Sequence, residues 1–190
     1  MSRLSNKGNL KLIIGPMFSS KTSNLLSDVR KYKGVLEMKV LLVSPEKDNR
    51  EDGCTIGTHD GKLEKAVKVR KISQVLNYLE YDVYGIDEAQ LFGSELREVI
   101  QSLLENNKII IVAALNADSD RQPFGYINDL ISMADEIQHQ RAICAICKDG
   151  TPGCHTRYIG NRPKESQIEI GGRGTYIPVC RECIKVPYDH

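Results

Sequence analysis

The chain has 190 residues, 41% of them hydrophobic; that is enough to bury a core, which excludes a disordered chain and favours one domain of ordinary size with a small appendage. Its 26 Lys and Arg balance 25 Asp and Glu for a net charge of +1, which argues against a stable nucleic-acid partner, since such proteins carry an evident basic surplus. The N-terminal MSRLSNKGNLKLIIG lacks the apolar stretch of a secretory signal, and no run approaches the roughly 20 apolar residues that span a bilayer, so a cytoplasmic protein with no membrane partner is expected.

Short apolar strands alternate with amphipathic stretches. Leu10–Ile14 reads as a strand, and the spacing of Leu25, Leu26, Val29 and Tyr32 predicts a helix over 21–35. Lys39–Ser44 (KVLLVS), Asp82–Asp87 (DVYGID) and Lys108–Leu115 (KIIIVAAL) are further strands. Leu96, Val99, Ile100, Leu103 and Leu104 mark a helix over 94–106. Strands of continuous apolar character separated by helices imply a parallel sheet covered on both faces. The polar, Gly-containing stretch 45–62 is long for a connection and reads as a mobile functional loop. Composition shifts again near Arg141, which divides the chain into an α/β nucleotide-binding domain, 1–141, and a small C-terminal domain, 142–190.

Gly15-Pro16-Met17-Phe18-Ser19-Ser20-Lys21-Thr22 follows a strand and opens a helix, the context a P-loop requires. Backbone N–H groups at a helix N-terminus make an anion site, Lys21 adds a point charge for the β- and γ-phosphates, and the Thr22 hydroxyl can reach Mg²⁺. The pattern GxxxxGK[ST] has glycine where this chain has Ser20, whose Cβ could crowd the turn or the phosphate. The bland alternative is an ordinary strand–turn–helix junction with a solvated Lys21. Asp87 and Glu88 end an apolar strand at the carboxyl edge of the sheet, where open α/β sheets bind ligands. Asp87 stands in the Walker-B position for Mg²⁺, and Glu88 points elsewhere, placed to take a proton from an attacking hydroxyl. Residues 15–22 and Asp87, with Gln90, make up the expected ATP-binding set.

Cys144-Ala-Ile-Cys147 and Cys180-Arg-Glu-Cys183 supply four thiolates in two chelating pairs, the donor set of structural Zn²⁺. A redox dithiol needs only one pair, and an iron–sulfur cluster is the other alternative. Cys54 and Cys154 read as bystanders, and His155 is a rival ligand.

Taken in order, the motifs resemble those of the type II thymidine kinases, the zinc-containing group. GPMFSSKTSNLL is similar to that family's GPMFSGKSTEL; Asp48-Asn49-Arg50 and Thr58-His59-Asp60 resemble its D-x-R and THD; GIDEAQ (85–90) resembles IDEGQ or IDEAQ. Ala113-Ala114-Leu115 with Pro123-Phe124-Gly125 resembles AALDGTFxRKPFG, and Ile170-Gly171-Gly172…Tyr176 with CREC resembles IGGxxxYxxxCRxC. The resemblance implies a P-loop (RecA-like) α/β fold with a zinc-anchored C-terminal lasso that closes over a nucleoside. It implies a kinase moving the γ-phosphate of ATP to the 5′-hydroxyl of thymidine or a related pyrimidine deoxynucleoside. In that reading Glu88 is the base, Lys21, Arg50 and Asp48 attend the transferring phosphoryl group, and Thr22 and Asp87 hold Mg²⁺. Met17, Leu91, Leu115, Phe124, Thr156, Ile170, Gly171 and Tyr176 match positions that line the nucleoside pocket. A homotetramer and inhibition by thymidine triphosphate are implied as family behaviour. The chain departs from the family at Ser20, at Leu91 (where an aromatic packs on the base), and at Asn116 and Ser119. Leu91 should weaken base binding or shift selectivity. Other readings of the same residues are a nucleotide-switched interaction module, which gives Glu88 and Arg50 no task, and an ATP-driven nucleic-acid enzyme, which needs a second motor domain.

Overall fold

The computed structural model describes residues 7–46, 55–57, 63–160 and 174–185. Twelve strands and three α-helices appear among them: β1 (Asn9–Gly15), α1 (Lys21–Val35), β2 (Val40–Pro45), β3 (Thr55–Gly57), β4 (Leu63–Lys65), β5 (Val67–Val69), β6 (Val83–Ile86), α2 (Leu96–Glu105), β7 (Ile109–Leu115), α3 (Ile127–Ile131), β8 (Glu136–His139), β9 (Ala142–Ile143), β10 (Pro152–Gly153), β11 (His155–Tyr158) and β12 (Tyr176–Val179). Six strands form one sheet in the order β5-β2-β6-β7-β1-β8, and every pairing in it is parallel.

Strand alternation explains why both faces are covered. Leu10 and Leu12 of β1, Leu41 and Val43 of β2, Tyr84 and Ile86 of β6 and Ile110, Val112 and Ala114 of β7 face one core, with Leu96, Val99, Ile100 and Leu103 of α2. The intervening residues Ile13, Leu42, Val83, Ile111 and Ala113 face a second core with Leu25, Leu26 and Val29 of α1. Gly85 lets α1 come close to the sheet: a Cβ there would lie 2.6 Å from Leu42 Cδ2 and 3.0 Å from Val29 Cγ1. Burial pushes the Tyr84 phenol up to about 12, helped by nearby Glu80 and Asp82, so its hydroxyl stays protonated and donates to the Tyr78 carbonyl at 2.6 Å.

The sequence-based elements sit close to the observed ones. The helix over 21–35 keeps those bounds, β1 gains one residue at each end over Leu10–Ile14, and the helix over 94–106 is trimmed to α2. Two strands of the sheet had no apolar signature: β5 is only VKV, and β8 is EIQH. Both are edge strands, where short length and charge discourage pairing with another chain. Lys11 of β1 joins β8 and α1, bridging Glu136 at 2.9 Å and Asp28 at 3.0 Å. Within the stretch read as a mobile loop, β3 pairs antiparallel with β4, which lies just after it. Asp48, Arg50, Cys54, Thr58, His59 and Asp60 lie outside the described residues, as do Ile170 and Gly171.

Beyond β8 the chain makes two small antiparallel pairs, β9 with β10 and β11 with β12. They share backbone bonds: Ala145 N–H donates to the Pro178 carbonyl and Cys154 N–H to that of Val179, each at 2.9 Å. Buried Cys144, Val179 and Cys180 form its small core. No helix among the described residues is long and apolar enough to cross a membrane.

Candidate active site

Two turns leave the carboxyl edge of the sheet next to each other, one after β1 and one after β6, with β7 between them. The first runs from Gly15 to Thr22. Its Ser19 hydroxyl donates to the Pro16 carbonyl at 2.8 Å, and Lys21 Nζ donates to the same oxygen at 2.7 Å. Those bonds curl the loop so that it hands over to α1 at Ser20. Ser20 makes no side-chain cap bond, and the first turn of α1 carries no acidic residue. The helix thus presents its first N–H groups and the positive end of its dipole to the loop, the arrangement that receives a phosphate.

Phe18 and Ser20 both adopt left-handed backbone, with φ of 61° and 62°. The residue that departs from the P-loop pattern therefore occupies a conformation that glycine enters without strain. Gly15 fits closely: a Cβ there would stand 2.6 Å from the Gln140 carbonyl oxygen and 2.9 Å from Ser19 Oγ.

The second turn holds the two carboxylates. Asp87 is buried, and its Oδ2 accepts the Thr22 hydroxyl at 2.9 Å. The pair expected to share Mg²⁺ thus stands in direct contact. Glu88 follows with φ of 50° and leads into a short 3₁₀ turn over Ala89–Leu91. Gln90, buried beneath it, donates from Nε2 to Glu88 Oε2, and its Oε1 accepts the Leu115 N–H at 3.0 Å. Gln90, expected among the nucleotide contacts, thereby joins the end of β6 to the end of β7.

Among the residues expected to line a pocket, Leu91, Leu115 and Phe124 lie in or beside segments that touch Gln90. Leu115 ends β7 at the Gln90 bridge, and buried Phe124 precedes Gly125. Gly125 has φ of +57°, and a Cβ on it would lie 2.3 Å from the Gln90 carbonyl oxygen, so only glycine allows that loop to lie so close. Asp118 shapes the loop's start, its Oδ1 accepting the N–H groups of Asp120 at 2.9 Å and Gln122 at 2.8 Å. Leu91 is half-buried, while Phe92 beside it is buried in the core. Thr156 of β11 reaches the phosphate loop: its Oγ1 accepts the Met17 N–H at 3.0 Å. Tyr176 is buried in β12 opposite Tyr158, the two rings packed edge-to-face with centroids 5.4 Å apart.

The four cysteines of the CxxC pairs meet, with their sulfurs all within 4.8 Å of one another. A tetrahedron with metal–sulfur bonds of about 2.3 Å has sulfur–sulfur edges of about 3.8 Å. Cys147 stands 3.9 Å from Cys180 and 3.4 Å from Cys183, which brackets that edge. The donor set therefore fits Zn²⁺. Burial raises the Cys144 thiol, but the N–H groups of Cys147, Cys180 and Ile146 outweigh it and pull the thiol down to about 6; bonds to Cys147 and Cys180 hold Cys183 well above the usual thiol range. Cys154 and His155 stand outside the cluster. Arg157, which no motif singled out, donates from Nη1 to the Cys183 carbonyl at 2.6 Å and fastens β11 to the second CxxC turn.

The sequence profile of the family described as thymidine kinase matches residues 8–184. A thymidine kinase of Pseudothermotoga lettingae is 34% identical over 178 residues, covering 93% of this chain and 94% of that protein. A thymidine kinase of Amsacta moorei entomopoxvirus is 36% identical over 187 residues, 95% of this chain and all of that protein. One from Mycoplasmoides gallisepticum is 34% identical over 187 residues, 95% of this chain and 82% of its own length. Among solved structures, the S. aureus homoserine dehydrogenase aligns with a TM-score of 0.31 at 13% identity over 70% of this chain and 32% of its own, too loosely to carry an argument.

Proposed function

This chain belongs to the thymidine kinase family and is a phosphotransferase, and from that premise we propose how its own residues move the γ-phosphate of ATP to the 5′-hydroxyl of thymidine. The observation that carries the reading is the meeting of the Lys21–Thr22 turn with the Asp87–Glu88 turn, through the 2.9 Å bond from Thr22 to Asp87. The loop N–H groups and Lys21 receive the triphosphate. Thr22 and Asp87 would hold Mg²⁺, which when bound neutralises phosphate charge. Glu88 receives the 5′-hydroxyl proton as the 5′-oxygen bonds to the γ-phosphorus; the bond from that phosphorus to the bridging oxygen breaks, and ADP leaves with the electron pair. Asp48 and Arg50 attend the transferring group from the segment after β2.

Residues 1–141 act as the nucleotide domain and 142–190 as a zinc-held lasso over the nucleoside. Met17, Leu115, Phe124, Thr156, Ile170, Gly171 and Tyr176 line its pocket, and Leu91 sets base preference. The active form is a cytoplasmic homotetramer inhibited by thymidine triphosphate. A coupled assay of ADP formation with thymidine, deoxyuridine, deoxycytidine and no acceptor tests the reaction. Acceptor-dependent turnover that Glu88→Gln abolishes while ATP binding persists is the expected result; turnover stimulated by single-stranded DNA alone overturns it.

A further inference from the structure

We propose that Arg157 is a positioning residue of the phosphate loop: by holding β11 against the second CxxC turn, it keeps the Thr156 hydroxyl where the Met17 N–H needs it. The inference rests on the turn after β1 being the triphosphate site. Phe18 and Ser20 of that turn sit at φ of 61° and 62°, and left-handed backbone on residues with a Cβ persists only where the surroundings hold it. The bonds of Ser19 and Lys21 to the Pro16 carbonyl tie the loop to itself. Met17, just before the first strained position, reaches out of the loop: its N–H donates to Thr156 Oγ1 at 3.0 Å.

Thr156 belongs to a strand that needs support of its own. β11 has four residues and pairs with β12 in a two-stranded sheet, a unit that is marginal in water by itself. Neighbouring side chains of a strand point to opposite faces, so Thr156 turns toward the phosphate loop and Arg157 away from it. On that other side Arg157 Nη1 donates to the Cys183 carbonyl at 2.6 Å, a charge-assisted bond of the stronger kind. The acceptor is itself held. Cys183 N–H points at Cys180 Sγ at 3.4 Å, and Ile184 N–H closes the turn on the Cys180 carbonyl at 3.1 Å. The Cys183 sulfur lies in the four-sulfur cluster, where zinc would stiffen the turn further. Cys154 N–H, bonded to the Val179 carbonyl at 2.9 Å, holds the start of β11 on β12, while Arg157 holds its middle on the cysteine turn. Two hydrogen bonds and one peptide unit thus separate the Cys183 carbonyl from the phosphate loop.

The test measures the dissociation constant of a fluorescent methylanthraniloyl ATP, with Mg²⁺ and no nucleoside, in Arg157→Met, Thr156→Val and the double variant. Zinc content and Tm are followed alongside. Arg157→Met keeps a long apolar stem and loses the donors. It should weaken binding of the analogue about threefold or more while retaining about one zinc per chain. Arg157→Lys, which keeps the charge and a donor, should return most of that affinity. Because Arg157 acts through Thr156, the double variant should bind no more weakly than Thr156→Val does. Should Arg157→Met fail to fold or to hold zinc, Arg157→Gln takes its place in the same cycle. An unchanged constant in the zinc-loaded Arg157 variant, or losses that add in the double variant, leaves Arg157 a fastener of the cysteine turn alone and overturns the proposal. Lys21→Ala that binds the analogue as tightly as the wild type instead removes the triphosphate site, a separate failure read from a separate variant.

Discussion

Met17 and Thr156, 139 residues apart in sequence, meet through a 3.0 Å hydrogen bond from the Met17 N–H to the Thr156 hydroxyl oxygen. This bond ties the phosphate loop to the strand that follows the first CxxC turn. Thr156 is buried and its hydroxyl satisfies a backbone donor inside the loop proposed to receive the triphosphate. Replacing it by valine keeps the shape but leaves that N–H unpaired, at a cost of about 1–3 kcal/mol. Thr156→Val should lower Tm and raise KM for ATP about fivefold or more, while Thr156→Ser, which keeps the hydroxyl, should remain near wild type. Steady-state kinetics at fixed thymidine separate the two.

Ser20 offers a change in the opposite direction. Its φ of 62° is strained for serine and comfortable for glycine, and its side chain makes no cap bond that would be lost. Ser20→Gly should stabilise the fold by about 0.5–1 kcal/mol, after the extra flexibility of unfolded glycine is subtracted from the relieved strain. Urea denaturation reads this as a higher midpoint at constant slope; an unchanged or lower midpoint contradicts it.

Metal analysis of the purified protein should find about one zinc per chain. Cys147→Ser removes a sulfur that lies within 4.8 Å of all three others and should abolish retention of the metal. With a core there of little more than Cys144, Val179 and Cys180, the segment should open, read as faster amide exchange across β9–β12 and loss of thymidine-dependent activity. A zinc-free protein of full activity would contradict both the anchor and the lasso.

The Lys11 bridge predicts an acid limb for stability. Burial raises the Asp28 carboxyl, but bonds to Lys31 at 2.7 Å and Lys11 at 3.0 Å outweigh it, and the group sits below its ordinary 3.8. A carboxyl depressed in the folded state contributes stability that is complete above the unfolded value and fades as pH falls through the folded one. Asp28→Asn should therefore cost stability at pH 7 and progressively less as the pH falls below 3.8 and through the folded value. The two proteins' denaturation midpoints should converge on acidification; a constant gap between them would sink this account.

The main sheet was legible because its central strands are apolar on both faces and its helices carry a clear period, signals that live within ten or fifteen residues. The turn after β1, the acid pair and the two cysteine pairs stood out for a related reason: each is a short contiguous motif, so spacing alone marks it as a candidate. The edge strands β5 and β8 were not, since a strand paired on one side needs no apolar pattern of its own.

What the linear order could not decide was which distant groups touch. Gln90 reads in sequence as one of the nucleotide-binding set; its bridge between the ends of two strands appears only when β6 and β7 lie side by side and Leu115 turns its N–H toward it. Arg157 likewise gains its partner, the Cys183 carbonyl, only once the two CxxC turns have come together. Local residue type sets what each group can donate or accept, so the chemistry was written in the chain. Hydrogen bonds reach about 3 Å, however, and only folding brings groups from separate elements within that range, so the positions of donor and acceptor were left to the tertiary structure.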